Sequence, residues 1–225
     1  INEAVTKGLN KDAEMIDSGV EWLGEIPEHW DVTSIKNILE IPITDGPHTT
    51  PKLYDDGIPF ISAESIRNNK IDFSKKRGFI SEKDYNFFSK KYIPKINDIF
   101  MVKSGATTGN IGIVETENKF TIWSPLAVFR ANKEKVYYEY LFYYLQSSLL
   151  KYQVELNWSY GTQQNIGMGV LSNLKISYPT VEEQIEITKF INKSSVKVES
   201  SINKTKTSIQ KLKAYRQSLI SEAVT

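Results

Sequence analysis

The last 45 residues of the chain, 181–225, contain neither glycine nor proline, and this constrains the fold more than any other feature. With nothing to free or break the backbone, so long a stretch reads as one continuous helix. Thr180 and Glu183 stand at capping-box spacing just after Pro179 and mark its start. From there Ile191, Val198, Ile202, Ile209, Leu212 and Leu219 recur at intervals of 7, 4, 7, 3 and 7. That is the a/d seam of a coiled coil rather than the broader stripe of a globular helix. At 1.5 Å per residue the helix spans roughly 65 Å, more than a domain of this size needs. The seam is therefore expected to meet a partner helix.

The phrase Ile220-Ser221-Glu222-Ala223-Val224-Thr225 echoes the opening Ile1-Asn2-Glu3-Ala4-Val5-Thr6. The simplest reading is one period, 219 residues long, of a duplicated protein in which a long helix leads into the next globular unit.

Composition narrows the function classes. In 225 residues, 40% hydrophobic and 12% aromatic side chains are ample for a packed core in one domain or two. No run of eighteen apolar residues and no signal peptide stand out, so neither membrane insertion nor secretion is expected. The absence of cysteine excludes disulfides and thiol chemistry and fits a cytoplasmic address. With only His29 and His48, a clustered zinc site cannot be assembled from imidazole and thiolate, and no cofactor is expected. A net charge of +1 gives no overall argument for a nucleic-acid partner, so any such reading must rest on local clusters.

Residues 1–19 are polar and read as a helix tail and linker. Residues 20–179 form the globular body and residues 180–225 the helical region. In the body the apolar runs are short, β-branched and bounded by Gly, Pro, Asn or Asp: 58–61, 99–102, 111–114, 126–129 and 174–176. These are expected to be strands. One helix is expected within 134–152, with Leu141, Phe142, Leu145 and Leu149 on its face. The fold class is therefore α+β: a sheet-rich globular domain with a long projecting C-terminal coiled-coil helix. Trp22 and Trp30, set among turn residues, read as a packing plug, and His29 beside them as a hydrogen-bonded packing residue without a catalytic partner.

Three loops combine small residues with hydrogen-bonding side chains. The first, 44–54, offers His48, Thr49, Thr50 and Lys52; the second, 103–110, offers Lys103, Ser104, Thr107, Thr108 and Asn110; the third, 157–165, offers Tyr160, Thr162, Gln163 and Gln164. Asn and Gln bond adenine bidentately, Lys meets phosphate or guanine, and Thr presents both a hydroxyl and a methyl to thymine. The same residue types populate ordinary turns, and for each loop both readings stand. The second loop is not a phosphate loop, because Lys103 precedes the glycines and no Gly-Lys-Ser/Thr follows. Gly105, Gly109 and Gly112 instead fit a tight turn between two strands. Basic residues at Arg67, Lys70, Lys75, Lys76 and Arg77, and at Lys83, Lys90, Lys91 and Lys95, are interleaved with Asp72, Glu82 and Asp84 and favour a solvated face over a phosphate track.

Five phrases now combine: residues 18–30 around Val20-Glu21-Trp22-Leu23-Gly24, the Asp45-Gly46-Pro47-His48-Thr49-Thr50-Pro51 loop, Ser104-Gly105-Ala106-Thr107-Thr108-Gly109, Pro179 through Gln184, and Leu212 to Thr225. Together they resemble the DNA-specificity subunit of type I restriction-modification systems. The resemblance implies a single target-recognition domain and a helical region, half of a subunit that carries two of each. It implies double-stranded DNA and a methyltransferase subunit as partners, with the restriction subunit reached indirectly. Methyl donor and ATP would be bound by those partners. Ile166-Gly167-Met168-Gly169 is richer in glycine than the family's usual wording, which leaves the third loop's contacts less well supported.

The expected function is thus non-catalytic: reading one half of a bipartite target and docking the methyltransferase through the long helix, with a homodimer through that helix as one arrangement. No adenine-methylating Asn/Asp-Pro-Pro-aromatic motif and no nuclease carboxylate-lysine cluster is present in the sequence. Two other readings remain, a coiled-coil oligomerising scaffold that binds no DNA, and the recognition part of a fused restriction-methyltransferase enzyme.

Overall fold

The computed structural model describes residues 1–156 and 165–224. In chain order the elements are α1 (Asn2–Lys7), β1 (Met15–Asp17), β2 (Glu25–Pro27), β3 (Asp31–Ser34), β4 (Thr44–Asp45), β5 (Ile58–Ile61), β6 (Ile66–Arg67), β7 (Lys70–Ile71), β8 (Gly78–Ile80), α2 (Glu82–Phe88), β9 (Ile99–Val102), β10 (Ile111–Ile113), β11 (Thr121–Ile122), β12 (Leu126–Phe129), α3 (Tyr138–Gln146), α4 (Ser148–Leu156), α5 (Met168–Asn173), β13 (Lys175–Tyr178) and α6 (Val181–Val224). Two compact units result, Ile1–Ile187 and Thr188–Thr225. No described helix is long and apolar enough to cross a membrane.

The first unit is built on a six-stranded sheet in the order β4-β12-β9-β10-β7-β6. All its neighbours run antiparallel except the parallel β10–β7 pair. At its centre β9 and β12 pair through Leu126↔Val102, Ala127↔Met101, Val128↔Phe100 and Phe129↔Ile99, and all eight residues are buried. Burial on both faces explains why these strands read as continuous apolar runs rather than alternating ones. One face packs Phe100, Val102 and Val128 against Phe120, Ile61 and Ile66. A three-stranded sheet, β11-β5-β8, adds a smaller cluster of Ile58, Phe60, Ile80 and Tyr85. The expected strands at 58–61, 99–102 and 126–129 stand as read; those at 111–114 and 174–176 stand with shifted ends.

At one end of the central pair lies an ionic lock. The Asp98 carboxylate, 1% exposed, accepts from Arg130 Nε and Nη2 at 2.7 Å each, from the Tyr92 hydroxyl at 2.5 Å and from the Lys95 amide at 2.8 Å. Burial and the facing Asp98 carboxylate hold the Tyr92 hydroxyl far above the usual tyrosine range, so it remains a donor.

The expected helix at 134–152 is two helices. Ser147 turns extended (ψ 150°), and its hydroxyl accepts the Leu150 amide at 3.2 Å, which starts α4. Tyr140 and Tyr144 share the buried face with Leu141 and Leu145. The Tyr140 hydroxyl lies 3.0 Å from Val5 O and 2.8 Å from Ser177 O, which ties α1 and β13 to α3. From α4 the Gln153 amide bonds both the N–H and the C=O of Lys175, acting as a one-residue strand beside β13.

The opening segment is not a loose linker. Val5 is fully buried, and β1 pairs with β2 through Ile16↔Ile26, so residues 1–19 belong to the globular unit rather than preceding it. Likewise the expected boundary at residue 180 moves to 187, because the first turns of α6 are held in the same unit. Within it, Gln184 is fully buried, accepts from the Tyr137 amide and donates to Pro179 O and Lys135 O. Glu183 completes only half of the capping box: its amide reaches Thr180 Oγ1 at 3.4 Å, while its carboxylate accepts from His29 Nε2 at 2.8 Å and Trp30 Nε1 at 3.2 Å. Trp30, 4% exposed, is the packed ring of the pair, whereas Trp22 is only half-buried.

Asp98→Ala would leave the Arg130 guanidinium nearly buried without its counter-ion. The substitution is expected to lower folding stability by about 3–5 kcal/mol in denaturant titration. An effect within about 0.5 kcal/mol, the range of ordinary surface changes, would show that the lock is not structural.

Candidate functional site

Two of the three polar loops leave the same end of the central strand pair. β4 carries Thr44 and Asp45 along the outer edge of β12 (Ala127↔Asp45) and leads directly into the first loop. Gly46 then presses on the β11–β12 connection so closely that a Cβ there would lie 2.1 Å from Ile122 O, which only glycine tolerates. The Ser124 amide donating to Pro47 O at 3.2 Å holds the loop down. His48, Thr49, Thr50 and Lys52 are exposed beyond it.

The second loop leaves β9 through Lys103. Gly105 (φ 104°) and Gly109 (φ 91°) adopt backbone angles that side chains resist, so the tight turn between β9 and β10 requires both. The Thr108 hydroxyl donates to Gly105 O at 2.6 Å and closes the turn, leaving it less free for a ligand. Thr107 and Asn110 are exposed and Ser104 is half-buried. Tyr160, Thr162, Gln163 and Gln164 lie outside the described residues, but the end of the third loop is placed: Asn165 bridges Ser104, and the Ile166 amide donates to Lys103 O at 2.7 Å. Residues 48–52, 104–110 and 165, remote in sequence, thus share one rim of the first unit.

An ionic cluster around a buried carboxylate ties this rim together. Asp45, 7% exposed, accepts from Lys91 Nζ at 2.5 Å and lies 3.4 Å from Lys103 Nζ and 3.3 Å from His48 Nε2. Burial pushes the Asp45 carboxyl up, but the Lys91 hydrogen bond and the charges of Lys91, Lys103 and His48 outweigh it and hold the group below its ordinary value of 3.8. Lys103, read as a phosphate or guanine contact, has a side chain only 11% exposed and paired with Asp45. Lys91, read as part of a solvated face, reaches the site from beyond the end of α2. Between that segment and the first loop runs a groove of about 500 Å³ lined by Pro47, His48, Phe87 and Lys91. No sequence signal pairs Asp45 with Lys91, because 46 positions separate them.

The other basic residues are largely engaged. Arg77 stacks 3.9 Å over Trp123 and lies 3.6 Å from Glu64, Lys76 sits over Phe79, and Lys70 lies 3.7 Å from Glu115. Among the described residues no three His, Cys, Asp or Glu side chains converge as a metal cluster would require.

In the second unit Val198, Ile202, Ile209, Leu212 and Leu219 are 47–66% exposed along α6. Ile191, expected in the same seam, is corrected: it is 3% exposed and already covered.

The depressed Asp45 pKa makes its pairing acid-sensitive. Above pH 3.8 the ionised carboxylate contributes its full stability, and that contribution fades as pH falls through the lowered folded value. The stability gap between the natural chain and Asp45→Asn, followed by urea unfolding, should be constant near neutrality and narrow below about pH 4.

The sequence profile of the family described as "Type I restriction modification DNA specificity domain" matches residues 27–213. A putative type I restriction enzyme MjaX specificity subunit of Methanocaldococcus jannaschii is 33% identical over 179 residues, covering 76% of this chain and 40% of that protein. The type I restriction enzyme EcoBI specificity subunit of Escherichia coli is 24% identical over 226 residues, covering 98% of this chain and 47% of its own length. Among solved structures, the S subunit of a type I restriction-modification system from M. genitalium aligns at TM-score 0.53 and 15% identity, over 87% of this chain and 43% of that one, a likeness of fold. The chain therefore spans less than half the length of each of these relatives.

Proposed function

We propose, from the premise that this chain belongs to the family of type I restriction-modification DNA specificity domains, that it is a non-catalytic reader of double-stranded DNA. Its reading surface is the rim where the loops 44–54 and 103–110 meet Asn165 at the end of the third loop. One observation carries this reading: Asp45, Lys103 and Asn165 draw loops far apart in sequence to one place through an ion pair, a β-bridge and the Ile166–Lys103 hydrogen bond. A surface that offers Thr, Asn and His side chains from several loops on a rigid sheet suits base-edge readout better than one turn alone would. Among the described residues the contacts of this reading are His48, Thr49, Thr50, Lys52, Ser104, Thr107 and Asn110; from the sequence alone it adds Tyr160, Thr162, Gln163 and Gln164.

In this reading α6 supplies the docking arm. The exposed stripe of Val198, Ile202, Ile209, Leu212 and Leu219 pairs with an antiparallel helix, that of a second recognition unit or a second copy, and the methyltransferase subunit is held there, with the restriction subunit reached through it. A cytoplasmic place of action follows from those partners. Two copies related by a two-fold axis would read inverted half-sites separated by a spacer that the helix length fixes.

Selection from a randomised duplex library tests the surface. Asn110→Ala should relax preference at one base position by about 1–3 kcal/mol, the worth of a bidentate contact, while Trp22→Ala should leave the preference profile unchanged. An unaltered profile in Asn110→Ala, Thr107→Ala and Gln163→Ala alike would remove the loops from base reading.

Replacing Ile202 and Ile209 together by Asp would set charges into the proposed helix contact, which an apolar interface does not accommodate. The double variant should sediment as a smaller species than the natural chain and should not be retained by the methyltransferase subunit. Unchanged sedimentation and retention would end the partner-helix reading.

A further inference from the structure

We propose that Asp45 is a positioning residue for DNA discrimination: its buried carboxylate restrains Lys91, Lys103 and His48, holding the loop rim in its reading geometry and limiting the cationic charge offered to phosphates of any sequence. The inference rests on the DNA-reading assignment above and extends it to a residue that need not touch DNA.

The geometry gives Asp45 two separate tasks. Through its backbone it extends the sheet beside Ala127, and through its side chain it reaches Lys103 at the root of the second loop, whose carbonyl in turn holds Ile166 at the end of the third. One carboxylate therefore fixes the first loop to the second, and Lys103 passes the constraint to the third. Toward solvent the same carboxylate faces the ammonium of Lys91, 51% exposed, and the imidazole of His48, 73% exposed. Both border the groove beside Phe87, which is 66% exposed. Lys91 is the cation of this cluster best placed to meet a phosphate, with the His48 ring beside it, and Asp45 competes with the phosphate for both.

Sequence-independent affinity grows with each phosphate neutralised, with log K falling against log salt by about 0.9 per contact. A carboxylate that occupies the Lys91 ammonium lowers such binding, whereas base readout depends on loop geometry and not on the charge count. Removing the charge while keeping the shape should therefore move two quantities in opposite directions. A merely structural defect would lower both together.

The test uses the full chain and the duplex that it selects from a randomised library, against a random-sequence duplex. In Asp45→Asn, affinity for the random duplex should rise at low salt with a slope steeper by roughly one phosphate contact. The ratio of selected to random affinity should fall about tenfold or more, comparable to one mismatched base pair. Lys103→Met should lower that ratio as well, and the double variant should be little worse than either single change, since both break one linkage. Equal losses on both duplexes, or additive losses in the double variant, would overturn the proposal. If the natural chain selects no duplex at all, the DNA-reading assignment fails with it. The loop restraint is then judged alone by amide hydrogen exchange: faster exchange at residues 104–110 and 166 in Asp45→Asn supports it, and unchanged exchange overturns it.

Discussion

The pairing of β9 with β12 is the constraint on which the rest of the first unit depends. Ile99-Phe100-Met101-Val102 and Leu126-Ala127-Val128-Phe129 are apolar throughout and buried on both faces. Hydrophobic burial alone specifies their register weakly, because a slipped pairing would bury much the same surface. Charges at the two ends supply the missing specification. Asp98 precedes β9 and meets Arg130 just after β12, while Lys103 follows β9 and meets Asp45 on the neighbouring β4. A shifted strand would separate both pairs and leave nearly buried charges without partners, at a cost well above that of a lost surface contact.

The same arrangement explains why the polar loops converge. A strand end fixed on both sides is a rigid base, so the loops that leave it keep their spacing without a core of their own. Gly46 lets the first loop lie against Ile122, and the two positive-φ glycines let the 103–110 turn close. The Asp45 carboxylate that completes one end of the central pair also holds Lys91 at the rim, and in the proposed reading this ties register to function.

In α6 one helix begins as part of a core and continues as an exposed apolar seam. Within the first unit Glu183 and Gln184 hold its opening turns through His29, Trp30, Tyr137 and the backbone of Lys135 and Pro179. Glu183 forgoes the full capping box, its carboxylate accepting from the His29 imidazole and the Trp30 indole instead. Beyond Ile191 the seam positions are exposed, although their 7- and 4-residue intervals are those of a helix contact.

The sequence by itself determined the long helix, the main strands and the family. Each rests on local information: the absence of breakers over 181–225, the short β-branched runs, and phrases such as 45–51 and 104–109. It also led to the three loops as the polar candidates, since residue type suffices for that. Only the tertiary structure decided which of those residues are free. Lys103 looks in sequence like any basic loop residue and is consumed by Asp45; Thr108 closes its own turn; Ile191 is covered while the rest of its seam is open. The place of residues 1–19 in the globular unit and the Asp45–Lys91 pair likewise depend on contacts between remote segments. Composition and periodicity carry the preferences of neighbours along the chain, whereas the burial of a charge depends on partners that only the folded sheet brings within reach.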